Sequence, residues 1–230
     1  MGSKYIYSDA ASEKLWRQVT PADKKEARKI YKKCLKSTNK KEWFTVTNRK
    51  VVMNAIEVMF FPFDDNFGKT WWWADGNQVE VSIKLFNVLV TKNKIIQDEL
   101  KRIKRKLGLG SRTPKEKVRV IHEYICDSVE YDYTFKGGTS LFEALFTRKL
   151  VCQGYSLMLK SLCDLSGVQC ECLTNENHMW NRVFIDNKWN YIDATWDDTN
   201  NRSKYFLLPE KYFYSIHPKH ISISKDFWVK

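Results

Sequence analysis

The stretch that decides the fold is residues 150–198, LVCQGYSLMLKSLCDLSGVQCECLTNENHMWNRVFIDNKWNYIDATWDD. It contains Cys152, then His178 26 residues later, and then Asp193 another 15 residues on. A thiol, an imidazole and a carboxylate are the groups that cysteine hydrolases use for attack, for proton transfer and for holding the imidazole in place. Whether the three groups meet depends on the secondary structure between them.

The residues that follow Cys152 have the pattern of a helix. The apolar residues that recur at helical spacing are Leu157, Met158, Leu162 and Leu165. Gly167 follows them as a helix stop. Cys152 is therefore predicted to lie at a helix N-terminus, where the helix dipole and the backbone N–H groups favour a thiolate and can hold an oxyanion. Gly154 is expected to let the substrate backbone approach closely. Core packing is the alternative for any single cysteine.

The segment from His178 to Trp196 predicts two antiparallel strands that are joined by a two-residue turn at Asp186-Asn187. If those two residues form the turn, Trp180 lies opposite Asp193. His178 is then on the same face as Asp193, one diagonal step of about 7 to 8 Å away. A slip of one residue would place the two side chains on opposite faces, so the turn sets the geometry.

The chemistry of the three side chains predicts their roles. Cys152 is the expected nucleophile and forms a thioester acyl-enzyme, His178 moves the proton, and Asp193 orients the imidazole and stabilises its cation. A single histidine on a strand is usually structural, and an aspartate at a strand end is usually a turn residue. The common register of both residues, downstream of a cysteine at a helix start, favours a triad that needs no metal and no cofactor.

The three motifs VCQGYS, HMWN and YIDATWDD resemble the bacterial transglutaminase-like family, whose core is a papain-like cysteine-protease fold. In that family a C-x-G-Y, an H-x-W-N and a D-x-T-W-D segment carry the Cys-His-Asp triad. Residues 129–133 (VEYDY) are similar to the tyrosine-aspartate element that precedes the cysteine, so the resemblance covers about residues 114–208. The chain departs from the family at Lys149-Leu150-Val151, where glycine is common. The resemblance therefore predicts the nucleophile but not the shape of the groove beside it.

The resemblance also implies that Tyr131 contacts the oxyanion or the substrate. Further candidates for such contacts are Gln153 and Gly154, which follow Cys152, and Trp180 and Trp196, which flank the predicted triad and could wall the groove. Packing is the alternative for the tyrosine and for both tryptophans. His122 is expected to be a structural or surface histidine. His217 and His220 form an HxxH pattern without a third ligand, and we interpret them as surface residues.

Helices and strands are also predicted outside the decisive stretch. Capping residues predict helices that start at Thr20, at Thr113 and at Thr139 or Ser140. The β-branched and aromatic segment from Val51 to Phe63 predicts a strand. The turn signal Asp75-Gly76, followed by alternating apolar residues up to Leu85, predicts a further half-buried strand or a hairpin, and residues 93–107 predict an amphipathic helix. The tryptophans at 71, 72 and 73 are expected to pack, with a carbohydrate platform as the alternative.

The charge of the chain is unevenly distributed. The net charge is +12, and residues 1–113 hold 24 Lys and Arg against 12 Asp and Glu, whereas residues 114–230 hold 15 of each. This asymmetry favours an anionic polymer as a partner of the first half, although a solvated lysine-rich surface explains it equally well. No specific nucleic-acid motif is present.

The six cysteines show no zinc-ribbon spacing, and most are expected to be reduced, buried thiols. No apolar run is long enough to span a membrane, and the first twenty residues lack the apolar centre of a signal peptide. The expected protein is soluble. Two compartments are compatible with the sequence. The expected location is extracytoplasmic or at the cell surface if a signal segment preceded this sequence, and cytoplasmic otherwise.

Together these patterns predict an α+β fold, with a basic N-terminal α/β subdomain (residues 1–110) and a transglutaminase-like, papain-like catalytic core (residues 111–230). The expected function is a cysteine-dependent hydrolase or acyltransferase acting on peptide or side-chain amide bonds, with peptidase or amidase activity favoured. A protein-crosslinking transglutaminase is the first alternative, because water and an amine resolve the same acyl-enzyme. A non-catalytic module that binds an anionic cell-surface polymer is the second.

Overall fold

The structure, a computed structural model, describes residues 17–60, 71–175, 177–199 and 202–216. Of these residues, those up to Ile95 form one compact unit and those from Ile96 onward form another. Among the helices in these ranges, none is both long and apolar enough to cross a membrane. The domain boundary expected at residue 110 stays a prediction, as does the pair His217 and His220, which lies outside the described residues.

The first unit combines helices with a three-stranded antiparallel sheet of order β1-β3-β2. Its elements are α1 (Pro21–Lys36), β1 (Lys41–Thr45), α2 (Arg49–Phe60), β2 (Trp72–Asp75), β3 (Gln78–Ser82) and the beginning of α3 (Ile83–Lys106). Helix α1 starts as predicted, because Thr20 and Asp23 form a capping box. Its lysine and arginine side chains are largely exposed, and binding of an anionic polymer to them stays a prediction.

The strand predicted from Val51 to Phe63 is wrong where the structure describes it, because residues 49–60 form helix α2. Asn48 caps the helix, since its side-chain oxygen accepts a hydrogen bond from the N–H of Val51 at 3.2 Å. Most of α2 is buried, including Val52 and Ile56 at 0% exposure. A short segment rich in β-branched and apolar residues fits a buried helix as well as a core strand, and this composition favoured the wrong element.

Strands β2 and β3 form the predicted hairpin. Asp75 pairs with Gln78, so Gly76 and Asn77 are the turn, and Gly76 has a φ of 55° that suits this residue. The three tryptophans differ in exposure: Trp71 is buried, Trp72 is half-buried and Trp73 is exposed. The predicted strand alternation is wrong from Ile83 onward, because helix α3 begins there, ten residues before the predicted amphipathic helix.

The second unit holds the remaining helices, a two-stranded parallel ladder (β4-β5) and an antiparallel sheet of order β6-β7-β8. Its elements after α3 are α4 (Pro114–Ser128), β4 (Glu130–Tyr131), α5 (Leu141–Phe146), β5 (Lys149–Leu150), α6 (Cys152–Leu165), β6 (Gln169–Thr174), β7 (Met179–Ile185), β8 (Lys188–Ile192), α7 (Ala194–Thr199) and α8 (Glu210–Ile216). Capping boxes start α4 at Thr113 and α5 at Ser140, as predicted.

Helix α6 is the centre of the second unit. It packs against α4, α5 and α7 and against strands β6 and β7, and every residue from Gly154 to Cys163 is buried. Even Lys160 is buried, with its ammonium group bound to Asp164 at 2.7 Å and to the carbonyl of Cys170 at 2.9 Å. A helix that is enclosed in this way has a fixed position, and so does the residue at its start, Cys152.

The α+β fold class is confirmed. The predicted nucleophile is the first residue of a helix that packs on an antiparallel sheet, and the first unit also mixes helices and strands. The six cysteines are free thiols, in agreement with the prediction.

Candidate active site

Cys152 lies at the N-terminus of helix α6, immediately after the β5 strand that ends at Leu150. Val151 is the N-cap residue in an extended conformation, and its side chain makes no capping hydrogen bond. Cys152 is half-buried, whereas Cys34, Cys126, Cys163 and Cys170 are buried. A partly accessible thiol at a helix start combines access with the stabilising field of the helix dipole.

His178 is held by the four-residue connection between β6 and β7. The side-chain oxygen of Asn175 accepts a hydrogen bond from the backbone N–H of His178 at 2.8 Å, and the backbone N–H of Asn175 donates to the carbonyl of His178 at 3.0 Å. Thr174 adds a hydroxyl bond to the same carbonyl at 3.1 Å. These contacts fix the backbone that carries the imidazole, just before strand β7 begins at Met179.

The β7-β8 hairpin has the predicted register. Ile185 pairs with Lys188, and the ladder continues to the pair Asn181 and Ile192. Asp186 and Asn187 form the turn with φ values of 54° and 60°, as a type I′ turn requires. Asp193 follows directly after β8, which brings it beside His178.

The side chains of His178 and Asp193 form a direct hydrogen bond. Nε2 of His178 lies 2.6 Å from Oδ2 of Asp193, which is completely buried. The other carboxylate oxygen, Oδ1, accepts a hydrogen bond from the backbone N–H of Trp196 at 3.0 Å, so Asp193 also caps helix α7. Because Nε2 is bound to Asp193, Nδ1 is the ring nitrogen that remains for Cys152.

The electrostatics of His178 favour its charged form. Burial by itself would lower the pKa of His178, but hydrogen bonds with Asp193 and Cys152, together with the negative charges of both, outweigh burial and raise the pKa to about 9. The imidazole therefore lies between a carboxylate and a thiol that both stabilise the imidazolium. The structure thus brings together the three residues that were predicted as a triad.

Tyr131 lies on β4, which pairs with the strand that leads to Cys152. Glu130 pairs in parallel with Lys149 and Tyr131 with Leu150, so the tyrosine lies beside the residue two positions before Cys152. Burial raises the pKa of Tyr131, and the negative charge of Cys152 raises it further. The hydroxyl therefore stays protonated and can donate a hydrogen bond, as an oxyanion contact requires.

The structure corrects the expectation for Gly154. Any Cβ at this position would collide with the carbonyl oxygen of Gly138 and would contact Leu150 at 3.2 Å. The space beside Gly154 is therefore occupied by the backbone of Gly138 and not by a substrate. The N–H of Gly154 is also used, because it donates to the carbonyl of Val151 at 2.9 Å. Gln153, one residue earlier, is half-buried and remains a proposed substrate contact.

The two tryptophans that were predicted near the triad differ in exposure. Trp180 is only 1% exposed and packs its ring against Phe213 and His178, so it supports the imidazole from inside and does not wall a groove. Trp196 is half-buried, with its ring centroid 6.0 Å from that of His178. Of the two, only Trp196 stays a proposed substrate contact.

Helix α7 carries two further acids whose roles were not predicted. Oδ2 of Asp197 lies 2.8 Å from Nε2 of His122, and both side chains are buried. Oδ2 of Asp198 accepts a hydrogen bond from the hydroxyl of Tyr155 at 2.6 Å. The two bonds attach α7, which Asp193 caps, to helices α4 and α6. His122 is therefore a structural histidine and not a surface one.

Asn181 is another residue whose role was missed. Its side-chain N–H donates to the carbonyl of Ser156 at 3.1 Å, which ties the strand after His178 to the helix that carries Cys152. The sequence signal that could have indicated this role was the position of Asn181 in the HMWN motif. For Asn175, which holds the backbone of His178, the only sequence signal was the polar segment TNEN, and such segments are typical of many turns.

The described part of the chain contains no group of three His, Cys, Asp or Glu side chains placed to hold a metal ion.

Comparison with known proteins agrees with these observations. Residues 101–194, which include all three predicted triad residues, match the sequence model of the transglutaminase-like superfamily. The human kyphoscoliosis peptidase is 29% identical over 131 residues, which are 46% of this chain and 20% of the relative. The mouse kyphoscoliosis peptidase is 28% identical over 128 residues, 45% of this chain and 19% of the relative. The chain thus matches about a fifth of the length of these relatives.

Among solved structures, a TGase crystal structure aligns with a TM-score of 0.43 at 18% identity, covering 66% of this chain and 48% of that one. The resemblance inferred from the cysteine, histidine and aspartate motifs is confirmed, because residues 101–194 of this chain match the sequence model of the transglutaminase-like superfamily.

Proposed function

We propose that this chain is a cysteine-dependent enzyme that attacks amide bonds of peptides or protein side chains through a thioester acyl-enzyme, with Cys152, His178 and Asp193 as its triad. The observation that carries the proposal is the 2.6 Å bond from His178 to the buried Asp193, made by an imidazole that also hydrogen-bonds Cys152 at a helix start. That these three side chains meet from distant positions in the sequence supports their assignment as nucleophile, base and orienting acid.

The acylation step uses the imidazolium and the thiolate. The sulfur of Cys152 attacks the amide carbon and forms a C–S bond, and the carbonyl oxygen takes up the negative charge. His178 then donates its proton to the leaving nitrogen, the C–N bond breaks, and the amine departs while the acyl group stays on sulfur as a thioester. Asp193 keeps the ring oriented and stabilises its cation before transfer.

The oxyanion of this step forms next to the first turn of α6. Since the Gly154 N–H is bonded within the helix, the donors we assign are the N–H of Cys152 and the hydroxyl of Tyr131, which is held protonated. Both belong to rigid parts of the unit, one at the start of the enclosed helix and the other in the β4-β5 ladder. Preorganised donors of this kind stabilise developing charge without reorganisation.

The second step determines the reaction product. His178, now neutral, takes a proton from water, the hydroxide oxygen attacks the thioester carbon, and the acid leaves as the C–S bond breaks. If a primary amine enters instead, the same sequence forms a new amide and crosslinks two molecules. We favour hydrolysis, because the relatives that match over 131 and 128 residues are named peptidases.

Mass spectrometry of a peptide mixture provides the test. A proteome-derived peptide library is incubated with the protein, with and without a fluorescent primary amine, and with the Cys152→Ala variant as the matched control. Hydrolysis predicts new termini or Gln-to-Glu mass changes that the amine leaves largely unaffected. Crosslinking predicts mass additions equal to the amine with loss of ammonia, and would assign the alternative activity.

The variant decides whether any product belongs to this site. Products that appear equally with Cys152→Ala, or a complete lack of products together with an unreactive Cys152 thiol, would contradict the proposed function. A variant that melts at the same temperature as the natural chain shows that the loss of product reflects the missing thiol and not a loss of folding.

A further inference from the structure

An exposed aromatic cluster lies on the segment that follows β4. Tyr133 is 72% exposed and Phe135 is 69% exposed, although large apolar side chains are normally covered. Both rings pack edge-on against Tyr131, with centroids 4.9 Å and 6.1 Å away. The cluster of Tyr131, Tyr133 and Phe135 is therefore a preformed group of rings with one side open to solvent.

The loop holds these rings in place instead of letting them collapse onto the surface. Oδ1 of Asp132 accepts hydrogen bonds from the backbone N–H of Thr134 at 2.9 Å and from its hydroxyl at 2.6 Å, and the N–H of Phe135 donates to the carbonyl of Asp132 at 3.2 Å. Phe135 adopts a left-handed φ of 55°, which is unfavourable for a bulky residue. The exposure of Phe135 is thus maintained at an energetic cost to the fold.

The aromatic cluster is continuous with the candidate active site. The N–H of Asp132 donates to the carbonyl of Leu150 at 2.8 Å, two residues before Cys152. Tyr131 also has its ring centroid 6.4 Å from that of Tyr155, which is buried on α6 one turn after Cys152. An acyl group bound to the sulfur of Cys152 would therefore have the open side of the cluster within reach of its neighbouring residues.

We propose that Tyr131, Tyr133 and Phe135 form a substrate subsite that binds a large aromatic or branched apolar side chain next to the amide attacked by Cys152. The proposal rests on the proposed function and specifies its substrate class. Aromatic rings give geometry-dependent contacts beyond simple burial of area, and a rigid ring platform loses little conformational entropy on binding. Continuity with the thiol is what assigns the occupant to the substrate.

Alkylation of Cys152 tests the subsite without knowledge of the natural substrate. The probes are iodoacetamide, N-ethyl iodoacetamide and N-(2-phenylethyl) iodoacetamide, in which sulfur attacks the same carbon, the C–S bond forms and iodide leaves. The rate at Cys152 is followed by mass spectrometry of the peptide that contains it. We expect the phenylethyl reagent to react at least about fivefold faster than the ethyl reagent, the size of effect that one or two aromatic contacts provide.

The matched variants are a double change, Tyr133→Ser with Phe135→Asn, and Tyr212→Ser as a control. Asparagine tolerates the left-handed conformation, so the turn is kept, and Tyr212 is an exposed tyrosine of α8 at 55% exposure. The double variant should lose the preference for the phenylethyl reagent while its rate with plain iodoacetamide stays within about twofold. The control variant should keep the preference.

Three results would overturn the subsite. The first is an equal rate for the ethyl and phenylethyl reagents in the natural chain, and the second is a preference for the phenylethyl reagent that survives the double change. The third is self-association of the chain that the double change abolishes while the reagent rates stay the same, which would assign the rings to contact with a second copy. A Cys152 that reacts slowly with all three reagents would instead contradict the proposed function, and the subsite with it.

Discussion

The carboxylate of Asp193 is shared between His178 and the start of helix α7: Oδ2 lies 2.6 Å from the imidazole, and Oδ1 accepts the backbone N–H of Trp196 at 3.0 Å. One residue thus orients the imidazole and caps a helix. The helix is itself held by Asp197 on His122 and Asp198 on Tyr155. A displacement of α7 would therefore displace Asp193, the acid of the proposed triad.

Substitution of Asp193 separates its two roles. Asp193→Asn keeps an oxygen that can cap α7 but loses the negative charge beside His178. We expect turnover of a peptide substrate to fall on the order of 10³-fold, and we expect a lower melting temperature at neutral pH, because the charge that raises the pKa of His178 is gone. Asp193→Ala should lose as much activity and about 1 kcal/mol more stability, because the cap is also removed. Equal stability of the two variants would contradict the capping role.

The thiol of Cys152 should be far more reactive than the buried thiols. Burial, assisted by the charge of Glu42, raises the pKa of Cys34 to about 12, and burial with the charge of Asp198 raises the pKa of Cys126 to the same value. Iodoacetamide at pH 6 to 7 should therefore label Cys152 at least about 100-fold faster than either. His178→Gln should slow the labelling, and comparable rates at the three cysteines would refute an activated nucleophile.

The pH dependence of stability should carry a contribution from His178. Its pKa is about 9 in the folded protein against 6.5 for an ordinary histidine, so the folded state binds the proton more tightly. This contribution is fully present below pH 6.5 and is lost as the pH rises through about 9. Urea unfolding from pH 6 to 10 should show a decline that is shallower in His178→Gln; parallel curves for the two proteins would argue against the raised pKa.

Removal of His122 should destabilise the fold. His122→Ala leaves the buried carboxylate of Asp197 without its side-chain partner, and loss of a hydrogen-bond partner by a buried polar group costs about 1 to 3 kcal/mol of unfolding free energy. Glu123→Ala, an exposed neighbour on the same helix, is the matched control and should change stability by less than about 0.5 kcal/mol. A fully stable His122→Ala variant would show that α7 does not depend on this pair.

A methyl group at position 154 should impair the start of α6. The added Cβ of Gly154→Ala meets the carbonyl of Gly138, so the backbone must shift, at a cost of about 1 to 3 kcal/mol. The matched control is Gly110→Ala, because the space around that glycine is open and its φ is not positive. Since Cys152 begins the same helix, we also expect slower iodoacetamide labelling in Gly154→Ala. Unchanged stability would restore the earlier interpretation that Gly154 faces a substrate.

Local sequence signals predicted the parts of the fold in which a short segment decides its own conformation. The capping boxes at Thr20, Thr113 and Ser140 marked three helix starts, because each pairs a hydroxyl and a carboxylate three residues apart. The Asp186-Asn187 turn set the β7-β8 register, because only a few residue pairs adopt two successive positive φ values. The segment of helix α2 predicted a strand instead, since a short segment rich in β-branched and apolar residues fits a core strand as well as a buried helix.

By itself, the sequence therefore determined the α+β class, the helix that begins at Cys152 and the hairpin register that brings His178 beside Asp193. These features depend on interactions between residues close in the chain, which leave a readable pattern. Only the tertiary structure decided that Gly154 faces Gly138, that Trp180 is buried, that Asp197 and Asp198 hold α7 through His122 and Tyr155, and that Tyr133 and Phe135 stay exposed beside Cys152. Those contacts join residues far apart in the chain, and their partners are chosen by packing in three dimensions, for which no local pattern exists.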